Sequence, residues 1–141
     1  PENGYAVCAI QAIDTNWLIL AHEVGHLFGA PHSKYQLSDP GPNGNLEGAE
    51  YAAGWYFDGG DGNSYATIMS YTADGYGNYY ESAPLYSSPL LKYRGGVAGH
   101  PEHGDNRRLF NITMPIIAGY RGAAETLHLL PVNLLLLQST H

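Results

Sequence analysis

The chain has 141 residues, a length that suits one domain with a sizeable core. Its formal net charge of −7 argues against a nucleic-acid partner, and its charged share of 13% is low against the ~25% usual in soluble domains. A single cysteine, Cys8, excludes a scaffold of internal disulfides. No apolar run approaches the ~20 residues of a membrane-spanning helix, so no membrane partner is expected.

Residues 1–13 read as a short strand or extended lead-in. They show neither the basic nor the apolar segment of a secretory leader, and an initiator Met is lacking, so a processed N-terminus or a fragment is expected. Cys8 has two readings, a half-bridge to a cysteine outside the chain or a small buried hydrophobe. Asp14, Thr15 and Asn16 offer helix-capping side chains, and from Trp17 the pattern turns helical. Trp17, Leu18, Ala21, Val24, Gly25 and Phe28 recur at three- and four-residue steps. Gly29 is placed to end this helix, since glycine tolerates the left-handed conformation just past a helix.

Residues 33–66 are rich in Gly, Asn, Asp, Pro and Ser and read as loop, with a helical turn near Glu47–Ala53. Inside it, Asp58-Gly59-Gly60-Asp61-Gly62-Asn63 gathers oxygen ligands. A calcium (Ca2+) site is one reading, but the spacing misses the EF-hand pattern and a plain turn is the favoured one. Residues 67–71 (TIMSY) form a compact motif, and 72–103 are irregular and tyrosine-rich, packing long loops or lining a cleft. A second helix is expected from Asp105 to about Arg121, with Asp105 as its cap, Leu109, Ile112, Ile116 and Tyr120 as its apolar stripe, and Phe110 and Ile117 beside them. Pro115 is expected to kink or split it. Asn111-Ile112-Thr113 is a glycosylation sequon by pattern, and its helical setting makes it incidental. The leucine-rich stretch 123–141 carries no assignable role.

The segment that carries chemistry is His22-Glu23-Val24-Gly25-His26-Leu27-Phe28-Gly29-Ala30-Pro31-His32. On a helix, His22 and His26 share a face and both imidazoles reach one metal ion. Zinc (Zn2+) takes neutral imidazole nitrogen at ~2.0–2.1 Å in tetrahedral geometry. Glu23, one residue on, sits beside the ion without binding it, the place of a general base acting on metal-bound water. Gly29 lets the chain leave the helix sharply, so that His32 returns as third ligand. Three protein ligands leave a fourth position to water, which marks a catalytic site. Average residue usage produces the first five positions by chance in roughly one chain in a few hundred, and the full pattern in on the order of one in 10⁵. His100 and His103 form a weaker pair, for which a solvated loop outweighs a shared metal.

HEVGHLFGAPH resembles the HExxHxxGxxH signature of the metzincin zinc metallopeptidases, and Thr67-Ile68-Met69-Ser70-Tyr71 is similar to their methionine turn. The resemblance implies that Met69 forms a hydrophobic base under the three imidazoles without binding metal. Within that clan the chain most resembles bacterial reprolysin-like enzymes, including those related to peptidyl-Asp metalloendopeptidases. This rests on Gly54-Trp55-Tyr56, the TIMSY turn, Tyr86-Ser87-Ser88-Pro89 and Gly104-Asp105-Asn106-Arg107-Arg108. Ser33 stands where animal reprolysins usually have Asp. Tyr71 is similar to a tyrosine that approaches the metal in astacins and serralysins; here it either assists the transition state or packs in the turn.

The resemblance implies an α+β, zincin-like fold, a protein or peptide substrate and a secreted location. It also implies a sheet and a helix before the zinc helix. Only about 20 residues precede His22, so residues 1–122 are expected to hold mainly the helical, loop-rich C-terminal part of such a catalytic domain, with little sheet. The expected function is endopeptidase hydrolysis by zinc-activated water with Glu23 as general base. The rivals are a non-catalytic zinc-binding module, an inactive fragment, and a closed structural zinc site, which would need a fourth protein ligand.

Overall fold

The computed structural model describes residues 17–38 and 49–119. The lead-in strand, the caps at Asp14–Asn16, Cys8, Tyr120, the start of the turn near Glu47 and the tail 123–141 lie outside these residues. Helix α1 spans Trp17–Leu27, as the apolar spacing predicts. It ends in a Schellman motif. The Ala30 N–H donates to the Gly25 carbonyl at 3.0 Å and the Gly29 N–H to the His26 carbonyl at 2.9 Å. Gly29 sits at φ 86°, where a side chain would be strained, so glycine here sets where the chain turns out of the helix.

The stretch expected to be loop contains a hairpin. Strands β1 (Tyr56–Asp58) and β2 (Ser64–Ala66) pair antiparallel, Phe57 opposite Tyr65, and β3 (Glu81–Ser82) joins β2 in parallel. β4 (Lys92–Tyr93) and β5 (Gly96–Val97) form a second small hairpin. These strands have two or three residues each, too short for their alternation to stand out from the Gly- and Asp-rich turns around them. The Asp58–Asn63 stretch is the turn of the first hairpin. The Asp58 carboxylate accepts the Ser64 hydroxyl at 2.6 Å, and that of Asp61 accepts the Asn63 N–H at 3.2 Å and the Tyr65 hydroxyl at 2.6 Å. The Tyr65 hydrogen bond is the main reason the Asp61 carboxyl lies below its ordinary pKa. These oxygens serve the hairpin, and nothing gathers them for a calcium ion.

Residues 106–119 form helix α2, capped as expected by Asp105, whose carboxylate accepts the Arg108 N–H at 3.1 Å. The stripe is corrected. Ile112 and Ile116 are more than half exposed, while Leu109 and Phe110 are buried, with Thr113 and Ile117 half-buried on the same side. Leu109 belongs to both candidate stripes, and the Phe28 and Tyr86 rings, 5.3 and 4.7 Å from Phe110, select the face that includes Phe110. The helix is not split at Pro115, although the prolyl nitrogen has no hydrogen to give the Asn111 carbonyl.

The core has two parts. One gathers Ala30, Tyr51, Ala52, Met69, Leu109 and Phe110; the other gathers Phe57, Tyr65, Ala83 and Ala98 beneath the hairpins. Between the loops a buried polar clamp brings two of the sequence motifs together. Ser87 donates its hydroxyl to the Ala53 carbonyl at 2.7 Å and accepts the Asn106 N–H at 2.9 Å. Asn106 accepts the Ser87 N–H at 3.2 Å and donates its amide to the Ala52 carbonyl at 2.6 Å. Both side chains are fully buried, so each lost partner strands a polar group. Asn106→Leu is expected to lower the unfolding free energy by roughly 2–3 kcal/mol, read as a lower midpoint in chemical denaturation.

Candidate active site

Helix α1 presents His22 and His26 from successive turns, and the Schellman turn with Ala30 and Pro31 brings back His32, which is buried. The three Nε2 atoms converge at 3.1 Å (His22–His26), 3.0 Å (His26–His32) and 2.9 Å (His22–His32). Two of the rings are fixed through their other nitrogen. His22 Nδ1 donates to the Ile68 carbonyl at 2.6 Å and His26 Nδ1 to the Ala30 carbonyl at 2.8 Å. A carbonyl only accepts, so Nδ1 carries a proton, and the neutral form of each ring has its lone pair on Nε2. His22 and His26 thus face each other at 3.1 Å with no proton to share. Such a donor set fits a cation. A tetrahedral zinc with ~2.0–2.1 Å bonds needs its nitrogens ~3.3–3.4 Å apart, a few tenths of an ångström from the spacing seen. Among the described residues this is the one group of three or more His, Cys, Asp or Glu side chains that could hold a metal.

Met69 is completely buried. Its sulfur lies so close to Gly25, on the α1 turn between the two histidines, that a side chain there would collide with Met69 and with the Tyr86 ring. Gly25 is therefore needed for close approach, a role its place in the helical pattern did not reveal. The turn around Met69 closes by the Ser70 N–H donating to the Thr67 carbonyl at 2.8 Å. The same turn supplies the Ile68 carbonyl that accepts from His22 Nδ1, so it orients that imidazole as well as packing beneath the helix.

Glu23 lines a cleft of ≈ 360 Å³ together with His22, Thr67, Ile68, Tyr71 and Ser82. The Tyr71 ring stands at the edge of this cleft, 4.7 Å from the His32 ring and 6.1 Å from that of His22, and is 40% exposed. Its backbone is held by Gln36, which the sequence did not single out, and by Tyr56 of the Gly54-Trp55-Tyr56 motif. Gln36, 2% exposed, accepts the Tyr71 N–H at 3.1 Å, and the Tyr56 hydroxyl donates to the Tyr71 carbonyl at 2.9 Å. Burial, helped by Asp74 and Tyr80, pushes the Tyr56 hydroxyl well above its ordinary pKa, so it remains a donor across the physiological range. Tyr86 ties the β-side to α1 by donating to the Ala21 carbonyl at 2.6 Å, and burial raises its pKa too. Both tyrosines lie in motifs that carry the family resemblance, but those motifs did not reveal these hydrogen bonds. Ser33 is buried and accepts the Tyr35 N–H at 3.2 Å, shaping the turn that leads from His32 to Gln36.

His100 and His103 stack at 4.8 Å. The His100 Nδ1 accepts the Glu102 N–H at 3.2 Å, and the His103 Nδ1 accepts the Lys34 ammonium at 2.6 Å. Those lone pairs are engaged, which leaves the pair as a structural stack beside Trp55.

The family model for the reprolysin-like metallopeptidases of family M12B matches residues 2–88. Among curated proteins, the chain is 30% identical over 110 residues to the peptidyl-Asp metalloendopeptidase of Stenotrophomonas maltophilia strain K279a, and equally to that of strain R551-3. Each match covers 76% of this chain and 24% of the relative, so the chain spans about a quarter of the length of the curated relatives it matches. No solved structure matches the chain. No helix among the described residues is long and apolar enough to cross a membrane.

Two outcomes are expected from the supports of Tyr71. Gln36→Leu removes the buried side-chain acceptor of the Tyr71 N–H and should cost about 1–3 kcal/mol in thermal unfolding. Beneath the cleft rim, Asp74 is held below its ordinary carboxyl pKa first by the Asn78 side chain, then by the N–H groups of Tyr76 and Asn78 and the Tyr80 hydroxyl. A lowered folded pKa means that this hold is complete above the unfolded carboxyl value and is lost as pH falls through the folded one. Amide protection over residues 72–80 should be intact at about pH 5 and fall toward about pH 2, and Asp74→Asn should remove that pH dependence.

Proposed function

The chain belongs to the reprolysin-like metallopeptidases of family M12B, and we propose that it holds the zinc-dependent catalytic centre of a secreted endopeptidase. The observation that carries this reading is the convergence of three imidazole nitrogens, two of them bare, on one point, with a carboxylate one residue along the same helix. In this reading residues 1–122 are the C-terminal part of a zincin-like catalytic domain and 123–141 are a separate tail.

His22, His26 and His32 would hold the zinc that members of this family use. When bound, zinc supplies Lewis acidity, polarising a carbonyl and making water acidic near neutral pH. Glu23 takes a proton from the attacking water and passes it to the leaving amine, which spares both steps the formation of a free strong base or a poor leaving group. Tyr71, with its ring beside His32, donates a hydrogen bond to the developing oxyanion. Met69 and Ile68 keep the ligand rings in register from below. The substrate is a protein or peptide. The relatives' name, peptidyl-Asp metalloendopeptidase, puts an aspartyl residue forward as one candidate for what that substrate presents.

The test is digestion of a mixed peptide library by the zinc-loaded chain beside its Glu23→Ala variant, read by mass spectrometry with zinc content measured on both. The parent is expected to cleave, and the variant to keep its zinc while losing activity by roughly 10²–10⁴-fold. Undiminished cleavage by the variant would remove Glu23 from its role. One zinc per chain with no cleavage by either protein would make this a non-catalytic zinc-binding module.

A further inference from the structure

His22 and His26 are placed by the regular turns of α1, whereas His32 comes from a loop and is held only as firmly as that loop is anchored. Just before His32, the Pro31 carbonyl accepts the Gly54 N–H at 3.3 Å. Two residues after it, the Lys34 ammonium donates to His103 Nδ1 at 2.6 Å. Both side chains are half-buried, and a hydrogen bond from an ionised donor is about twice as strong as one between neutral groups. Beside this contact the Tyr35 ring meets the Trp55 ring edge-on at 5.5 Å and that of His103 at 6.4 Å.

His103 stands on a braced turn. His100 and Gly104 exchange backbone hydrogen bonds at 2.9 Å in both directions, and the His103 N–H returns to the His100 carbonyl at 3.3 Å. Gly104 presses against Trp55, where an added side chain would come within 2.9 Å of the tryptophan Cβ. The His100 ring backs that of His103 at 4.8 Å and lies 5.4 Å from Trp55. Trp55 is in turn bonded to the methionine turn. Its N–H donates to the Thr67 hydroxyl at 2.8 Å, and its carbonyl accepts the Thr67 N–H at 3.0 Å. The support of the His32 loop is thereby built on the same turn that orients His22. We propose that Lys34 and His103 are positioning residues for the metal, whose contact fixes the loop carrying His32 and so sets how tightly the third imidazole holds zinc. This rests on the zinc reading above and not on peptide cleavage.

Zinc affinity is read without turnover, by competition of the full chain with a chromophoric chelator. Far-UV circular dichroism checks that each variant is folded. Lys34→Met and His103→Leu are each expected to weaken zinc binding about 10–100-fold. The double variant should be no weaker than the worse single one, since both remove the same contact. His103→Asn keeps an acceptor near the place of Nδ1 and should restore most of the affinity. In a His32→Ala background, where zinc binding is already reduced, Lys34→Met should cost nothing further. That last result separates positioning of one ligand from a general loosening of the fold, which would weaken binding in either background. Should one of the two single variants fail to fold, the other reads the same contact. Unchanged affinity in both, an equal loss in His103→Asn and His103→Leu, or an undiminished effect of Lys34→Met without His32 would each overturn the proposal and leave the zinc reading standing. A parent chain that takes up no zinc would remove both.

Discussion

The structure depends on holding imidazole lone pairs against one another. His22 and His26 each commit one ring nitrogen to a backbone carbonyl, and that commitment leaves the other nitrogen bare and aimed at a neighbour about one hydrogen-bond length away. Such a convergence of nitrogens has the form of a cation site, and the surrounding fold supplies the rigidity that holds the rings in place. The two carbonyls come from different places. Ala30 belongs to the turn that ends α1, while Ile68 lies far along the chain in the turn beneath the helix. The site therefore closes only when α1 and the Met69 turn are docked.

That docking explains several features that would otherwise look unrelated. Gly25 has no side chain because Met69 and Tyr86 occupy the space. Tyr86 bridges to the Ala21 carbonyl and also packs edge-on against Phe110, which ties α2 to the floor of the site. The clamp of Ser87 and Asn106 fixes the loop bearing Tyr86 to the N-terminus of α2 and to residues 52–53. Strand content is small, and much of the order is carried by buried side chain–backbone hydrogen bonds between loops. Such an arrangement tolerates little loss, since every broken bond strands a desolvated group.

On the open side, the Tyr71 segment is held from two directions by Gln36 and Tyr56, and Asp74 braces the loop that follows. Gln36 lies four residues past His32, so the loop that brings His32 back to the site also positions the tyrosine that stands beside it. The metal-facing rim and the cleft are thereby parts of one hydrogen-bonded unit.

The sequence by itself determined the local chemistry. The four-residue spacing of His22 and His26 fixed their shared helical face, Gly29 fixed where the helix ends, and Asp105 fixed where α2 begins, because capping and helical periodicity are decided within a few residues. Family membership was likewise legible in the zinc signature and the TIMSY turn. Only the tertiary structure decided what long-range contacts decide. It chose Phe110 over Ile112 as the inner face of α2, gave His22 the Ile68 carbonyl as its partner, and made Gln36 the anchor of Tyr71. Those outcomes depend on partners tens of residues away, and the pattern of a single segment carries no information about which distant carbonyl or ring it will meet.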